Sequence, residues 1–156
     1  MSDFETPEVR DHDEIHLAVV RDRVAFGEIP ALYDRAYPLI FGALGACGIE
    51  PTAAPMGVNH GGANGTLDLS VAVPVAEPFA GSGEVEAETI PAGRAAFLLV
   101  RGDYSLLMQA YEHLFDWIAS QGLAPGDLAW EQYLTEPEPG GDPALNETLI
   151  AAQLAP

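Results

Sequence analysis

The stretch RAAFLLVRGDYSLLMQAYEHLFDWIASQGLAP, residues 94–125, is the most informative part of the chain, because RVAFGEIPALYDRAYPLIFGALGACGIEP, residues 23–51, follows the same plan. Both stretches open on Arg-x-Ala-Phe, continue through an apolar segment with helical spacing, and close on Gly-[Ile/Leu]-x-Pro. The offset between the copies is 71 at their opening arginines, Arg23 and Arg94, and 74 at their closing glycines, Gly48 and Gly122. A repeat this long indicates two copies of one supersecondary unit.

Each copy reads as strand, helix, strand, strand. Apolar residues at helical spacing predict one helix per copy, ended by Gly48 and Gly122. Pro38 predicts a kink or a late start in the first helix, because proline lacks an N–H and clashes with the preceding turn. The predicted strands are 15–26, 54–59, 67–75, 85–90, 97–100, 128–134 and 146–153. With these seven segments the pattern comes close to eight short strands and predicts an α+β fold, in which two main helices cover one face of an antiparallel sheet of about eight strands and a ligand groove lies on the other.

The chain length suits a single domain built from two halves. We expect an acidic, flexible N-terminus over residues 1–14 and one domain over residues 15–156, with halves of about 15–78 and 84–154. The segment EPEPGGDP, residues 136–143, is also expected to be loose because of its composition.

Charge is the strongest compositional signal. The chain has 24 Asp and Glu, only six Arg with Lys absent, and a formal net charge of −18, which disfavours binding to nucleic acid. The start of the chain is unlike a secretory signal and no apolar run reaches membrane-spanning length, so we expect no membrane association and a cytoplasmic location. The single Cys47 lies in an apolar stretch and the four histidines lack ligand spacing, so neither a metal nor another cofactor is predicted.

The segment LAWEQYL, residues 128–134, holds one acid among aromatic residues. Strand alternation places Glu131 and Tyr133 on one face and Trp130 on the other, which we expect to be the helix-packed face. A carboxylate in an apolar groove either takes up a proton or binds a cation. Aromatic faces favour the same cation, and a carboxyl group that holds a proton can also act as an acid or base on bound water.

The repeat aligns Gly57 with Glu131 and Asn59 with Tyr133, at the offset of the closing glycines. The segment MGVNH, residues 56–60, is therefore expected to lie beside residues 130–134. Tyr33 and Tyr37 on the first helix suit core packing and groove lining equally, and Asn59 and His60 also suit a turn. Trp130 is a candidate only if a bulge or the strand end turns it. The candidate ligand-binding residues are Glu131, Tyr133, Trp130, Tyr33, Tyr37, Met56, Asn59 and His60.

The order of elements, the repeat, the Gly-Asp-Tyr turn at residues 102–104, and Glu131-x-Tyr133-Leu134 resemble the GyrI-like small-molecule-binding domain. This family also supplies the effector domains of AraC- and MerR-type multidrug regulators, and the resemblance covers about residues 15–154. It implies a duplicated βαββ fold with pseudo-two-fold symmetry, a ligand groove between the halves, a buried glutamate at Glu131 and an aromatic neighbour at Tyr133. A helix-turn-helix segment is absent before residue 15, so the chain resembles a stand-alone member.

Three functions follow from the residues and the resemblance. The leading one is a binding protein that holds lipophilic, aromatic, cationic compounds against Glu131, for drug sensing or sequestration. The second is a hydrolase of the same fold that opens electrophilic cyclopropane rings, with Glu131 as its acid or base. The third is a protein inhibitor that engages a partner such as gyrase through the acidic surface.

Overall fold

Two units of similar plan make up the fold in the computed structural model, which describes residues 4–135 and 146–155. One unit consists of Met1–His12 and Gly93–Pro156, and the other of Asp13–Ala92. The elements are β1 (Glu8–His12), β2 (Ile15–Ala25), α1 (Ile29–Cys47), β3 (Met56–Ala63), β4 (Thr66–Val75), β5 (Glu86–Ile90), β6 (Gly93–Arg101), α2 (Leu107–Ser120), β7 (Pro125–Tyr133) and β8 (Glu147–Leu154). Eight strands with antiparallel pairing within each unit and two main helices confirm the predicted α+β class. The segment 136–143 lies outside the described residues.

In the unit Asp13–Ala92 the strands follow the order β5-β2-β4-β3. Helix α1 packs on one face of this sheet through buried residues at every fourth position, and Val20 and Val71 belong to the same core. The buried residues of α1 are Leu32, Ala36, Ile40 and Leu44. Pro38 lies inside α1, so the alternative of a late helix start is wrong.

In the other unit the strands follow the order β1-β6-β8-β7. Helix α2 packs on one face through Ala110, Leu114 and Ile118, which lie in one core with Leu98 and Ile150. At the offset of the closing glycines, these three helix residues correspond to the buried Ala36, Ile40 and Leu44 of α1. The repeat predicted from the sequence is therefore present in the helix cores.

Both helices end in the same way, as the matching glycines predict. Gly48 and Gly122 adopt φ angles of 68° and 71°, which are left-handed conformations that glycine favours. In each copy, the residue after the glycine donates its N–H to a carbonyl in the last turn of the helix. Ile49 donates to the Leu44 carbonyl at 2.9 Å, and Leu123 donates to the Ile118 carbonyl at 3.1 Å.

The Arg-x-Ala-Phe match that opens both copies is misleading. Arg23 lies near the end of β2, whereas Arg94 lies near the start of β6. In the strand pairing, Val20 lies across one intervening strand from Gly57, and Leu98 lies across one intervening strand from Glu131. Since Gly57 corresponds to Glu131, Val20 corresponds to Leu98, at an offset of 78. The offset between the copies falls from 78 before the helix to 74 after it. The first copy therefore has four more residues between these points, which is about one helical turn. In agreement, α1 has 19 residues and α2 has 14.

Two boundary expectations need correction. Glu8–His12 forms β1 and pairs with β6, so the expected flexible N-terminus of residues 1–14 is wrong for this segment. Strand β5 was expected to belong to the half that begins near residue 84, but it pairs with β2 and belongs to the unit Asp13–Ala92. In the described residues, neither helix has the length and apolar character needed to cross a membrane.

Candidate functional site

Glu131 lies on the face of its sheet that carries α2. Its antiparallel partner is Ile150, which in turn pairs with Leu98, and directly paired residues share a face. Both partners belong to the core that packs against α2. The Glu131 carboxylate therefore lies between the strand β7 that supplies it and the helix above.

Two phenol groups hold the Glu131 carboxylate. Tyr111 on α2 donates its hydroxyl hydrogen to Oε2 at 3.0 Å, and Tyr133 on β7 donates to Oε1 at 2.7 Å. In the part of the chain that the structure describes, no cationic side chain contacts this carboxylate. Burial raises the pKa of Glu131 above its ordinary value, and the two tyrosine hydrogen bonds offset this rise only in part. The carboxylate therefore has hydrogen-bond donors but, among the described residues, no counter-charge.

An exposed apolar strip of α2 adjoins the carboxylate through Tyr111. Phe115 stacks on Tyr111 with ring centroids 6.4 Å apart and an interplanar angle of 22°. Met108, one turn earlier, is 76% exposed, and Phe115 is 38% exposed. Spacing of three and four residues places all three side chains on one side of the helix. We call Met108, Tyr111 and Phe115 the α2 shelf.

Trp130 lies on the opposite face of the sheet from Glu131. It pairs with Ala151, is 3% exposed, and makes edge contacts with Phe97 and His12. The prediction that Trp130 points into the helix-packed core is therefore wrong, as is the placement of Glu131 on the face away from the helices. Alternation determines which residues share a face, but it does not determine which face the helix covers.

Tyr33, Tyr37 and Met56 belong to the other unit. The two tyrosines pack against the core beneath α1, with their ring centroids 5.7 Å apart. Met56 is buried and pairs with Ala72, so it lies on the face away from α1. Their predicted ligand contacts stay a prediction.

Asn59 and His60 lie at a bulge in β3. The register against β4 shifts between Asn59 and Gly61, and Asn59 Oδ1 accepts the Gly61 N–H at 2.8 Å. His60 Nε2 lies 3.1 Å from Ser70 Oγ and 3.0 Å from Glu88 Oε1, while Ser70 Oγ donates to the same Glu88 oxygen at 2.8 Å. We call His60, Ser70 and Glu88 the Glu88 network.

The Glu88 network is not a nucleophilic triad. Ser70 is fully buried, and its hydroxyl hydrogen is directed to the carboxylate and not to the imidazole. A relay would instead need the acid and the serine on different ring nitrogens of the histidine. Sequence reasoning missed Ser70 and Glu88, because they come from separate strands and no spacing connects them to His60.

Tyr111 is the other residue of the candidate site that sequence reasoning missed, because it lies on α2 and not on the strand that carries Glu131. The repeat carried a usable signal, because Tyr111 corresponds to Tyr37 at the offset of the closing glycines, and Tyr37 was already a candidate. Within residues 4–135 and 146–155, no three His, Cys, Asp or Glu side chains are arranged to hold a metal ion.

The chain belongs to the family of the GyrI-like small molecule binding domain, whose sequence pattern matches residues 5–153. No curated protein matches the chain significantly. The assignment therefore rests on the family pattern, and solved structures show the same fold.

The EcmrR C-terminal domain is 20% identical, with a TM-score of 0.85 over 99% of this chain and 99% of that domain. In the EcmrR–DNA complex, the match covers 97% of this chain but only 57% of the EcmrR chain, with 20% identity and a TM-score of 0.81. This chain thus spans little more than half of EcmrR.

Two further structures are 12% identical to this chain. SAV2435 bound to tetraphenylphosphonium has a TM-score of 0.69 over 96% of this chain and 93% of its own length. A hydrolase from Listeria innocua has a TM-score of 0.66 over 96% and 92%. At these identities, the similarities show a common fold.

Proposed function

We propose that this domain binds lipophilic aromatic cations, with Glu131 as the counter-charge and Tyr111, Tyr133 and the α2 shelf as the aromatic wall. The observation that carries this proposal is the half-buried carboxylate of Glu131, which accepts two phenol hydrogen bonds and has no described cationic neighbour. Sensing or sequestration of such compounds is the role that a binding site of this kind would serve.

The electrostatics favour a cation over a neutral compound. Burial makes the ionised carboxylate costly, and a positive ligand reduces that cost when it binds. The aromatic rings of Tyr111 and Phe115 attract the same charge through their faces, by roughly 0.5–2 kcal/mol each. The exposed Met108 adds a flexible apolar contact that suits ligands of varied shape.

The similarity to SAV2435 supports this choice of ligand class, since that protein was solved with tetraphenylphosphonium. The same compound is therefore a suitable probe. Isothermal titration calorimetry of wild type and Glu131→Gln should show saturable binding that the substitution weakens about tenfold to hundredfold.

Glu112→Gln is the matched control, because Glu112 is an exposed acid next to Tyr111 and its substitution changes the net charge equally. It should bind tetraphenylphosphonium like wild type. Equal affinities of wild type and Glu131→Gln would contradict the proposal, and equal losses in both variants would assign the effect to overall charge.

A hydrolase is the second candidate, favoured by the raised pKa of Glu131, which lets the carboxyl group hold a proton at higher pH than usual. A protonated Glu131 could donate its proton to a leaving group and then accept one from water. Incubation with a cyclopropane-bearing electrophile, followed by mass spectrometry, should then give a product one water heavier with wild type and not with Glu131→Gln. Binding through the acidic surface to a protein such as gyrase stays a prediction.

A further inference from the structure

His60 is the residue that the bulge in β3 leaves without a strand partner. Its neighbours Asn59 and Gly61 pair with consecutive residues of β4, so His60 is extra to the ladder. A bulge of this kind re-aims a side chain out of the regular alternation of its strand. Gly61 has a φ of 121°, and a Cβ added there would meet no atom within 4 Å, so open space adjoins the bulge.

The hydrogen bonds of the Glu88 network determine which nitrogen of His60 carries a hydrogen. The Ser70 hydroxyl donates its only hydrogen to Glu88 Oε1 at 2.8 Å, and an ionised carboxylate has none to donate. His60 Nε2 lies 3.1 Å from Ser70 Oγ and 3.0 Å from the same Glu88 oxygen, so the hydrogen in these contacts is the one on Nε2. The lone pair of the neutral imidazole is therefore on Nδ1.

His60 Nδ1 keeps contact with solvent. Among the described residues it makes no hydrogen bond, and unlike Glu88 Oε2 it is not a buried atom without a partner. The opposite ring nitrogen lies against a carboxylate that can accept its proton when Nδ1 forms a bond. A nucleophile with a base within hydrogen-bond reach is a reactive arrangement, and taking up the proton also neutralises a buried charge.

His16 provides a comparison within the same unit. Its Nε2 lies 3.1 Å from Glu14 Oε1, much as His60 Nε2 lies against Glu88, but Glu14 is 55% exposed and Glu88 only 14%. The His16 Nδ1 lies 3.4 Å from the Thr89 hydroxyl. The side chain of His16 is 19% exposed and that of His60 is 13% exposed, so accessibility alone favours reaction at His16.

We infer that His60 is a nucleophilic site for activated acyl compounds, such as mixed anhydrides and aryl esters, and that it reacts through Nδ1. The Nδ1 lone pair forms a bond to the carbonyl carbon, and the bond from this carbon to the leaving-group oxygen breaks, so the leaving group departs with that electron pair. The Nε2 proton passes to Glu88, which leaves a neutral acyl-imidazole. The network that connects three strands thus also prepares one of its members for reaction, and this site is separate from the cation binding proposed for Glu131.

Competitive labelling of the intact protein tests the inference. A limiting amount of diethyl pyrocarbonate, an activated acyl compound, is added at neutral pH, and peptide mass spectrometry follows the carbethoxylation of His60 and His16 in one sample. In wild type, His60 should react at least about tenfold faster than His16, because an adjacent base assists the attack.

Two variants assign the effect to the carboxylate. Glu88→Gln keeps an oxygen for the Nε2 hydrogen but is a far weaker proton acceptor, so the His60 rate should fall to the His16 rate while the His16 rate stays the same. Glu14→Gln is the matched control, since it removes the carboxylate beside His16 and should leave the His60 rate unchanged. Thermal unfolding checks that both variants fold.

A second measurement needs no variant. Heteronuclear NMR of the imidazole rings in wild type should show the hydrogen of neutral His60 on Nε2, and a hydrogen on Nδ1 would overturn the inference. Reaction of His60 no faster than that of His16 would also overturn it. An unchanged His60 rate in folded Glu88→Gln would do the same, because the carboxylate would not be the group that activates the imidazole.

Discussion

Two partly buried carboxylates, Glu131 and Glu88, are treated differently by the two units. Glu131 accepts hydrogen bonds from Tyr111 and Tyr133, which are neutral donors. Glu88 accepts from Ser70 and lies 3.0 Å from the imidazole of His60, which can carry a positive charge. Glu88 therefore has a potential counter-ion within its own unit, whereas Glu131 has none among the described residues.

The difference supports the proposal that Glu131, and not Glu88, binds a cationic ligand. A buried charge must be paired, neutralised by a proton, or compensated on binding. Glu88 has the imidazole of His60 at 3.0 Å within its own unit, so the network is best explained as a structural connection among β3, β4 and β5, although Glu88 Oε2 is buried without a hydrogen-bond partner among the described residues. Glu131 is compensated only by protonation or by an added cation, and the repeat places Gly57 at the corresponding position, so the carboxylate is specific to one copy.

The largest expected effect concerns the Glu88 network. Replacing His60 by Leu removes the imidazole and leaves Glu88 and the buried Ser70 with fewer partners. We expect the free energy of unfolding to fall by about 2–3 kcal/mol, measured by urea denaturation at neutral pH.

The control for this prediction is the combined variant His60→Leu, Ser70→Ala, Glu88→Leu. It removes all three polar groups, and it should recover much of the lost stability, because replacing a whole buried polar group set by apolar residues is often close to neutral. A single His60→Leu variant as stable as wild type would show that Glu88 needs no internal partner, and the contrast with Glu131 would disappear.

The next effect concerns ligand affinity and pH. A bound cation favours the ionised carboxylate, and the pKa of free Glu131 is raised, so binding releases a proton wherever free Glu131 is still protonated. Affinity for tetraphenylphosphonium should therefore rise by up to about tenfold per pH unit until Glu131 is fully ionised. Calorimetry at a series of pH values should show this rise in wild type and a flat profile in Glu131→Gln. A rise of the same size in both proteins would assign the proton to another group.

Much of the fold could be predicted from the sequence, because the helix stripes and the closing Gly48 and Gly122 carry local signals that survive in the folded chain. The alignment of the two copies before their helices could not be predicted. The Arg-x-Ala-Phe match at Arg23 and Arg94 is short, and no structural requirement underlies it. Only strand pairing shows that the first copy holds about one more helical turn.

The site was predicted in part for a related reason. Glu131 and Tyr133 share a strand, so alternation alone placed them together. Tyr111 comes from a different element, and the helix-bearing face is chosen by packing between elements. Neither the contact from α2 nor the fact that Trp130 lies on the face away from α2 was therefore available from spacing along β7.

A smaller effect tests how the bulge in β3 supports the Glu88 network. Asn59→Ala removes the acceptor for the Gly61 N–H, which holds the backbone on either side of His60. We expect a loss of about 1 kcal/mol in the free energy of unfolding. The same substitution in the His60→Leu background should cost less if the bulge acts by orienting the imidazole, and a double-mutant cycle measures this coupling. Additive losses would show that the bulge and the network are independent.

The smallest expected effect is the influence of Glu131 on stability without ligand. The folded state raises its pKa, so the folded protein holds this proton to a higher pH than the unfolded chain, whose glutamates ionise at about pH 4.3. Its contribution to stability is therefore fully present below the unfolded value and is lost as pH rises through the folded value. Relative to Glu131→Gln, wild type should lose stability across that range in urea denaturation. Glu112→Gln, which replaces an exposed acid, should show no such trend. If wild type instead gains stability relative to Glu131→Gln as pH rises, the phenol hydrogen bonds outweigh the effect of burial on the Glu131 pKa.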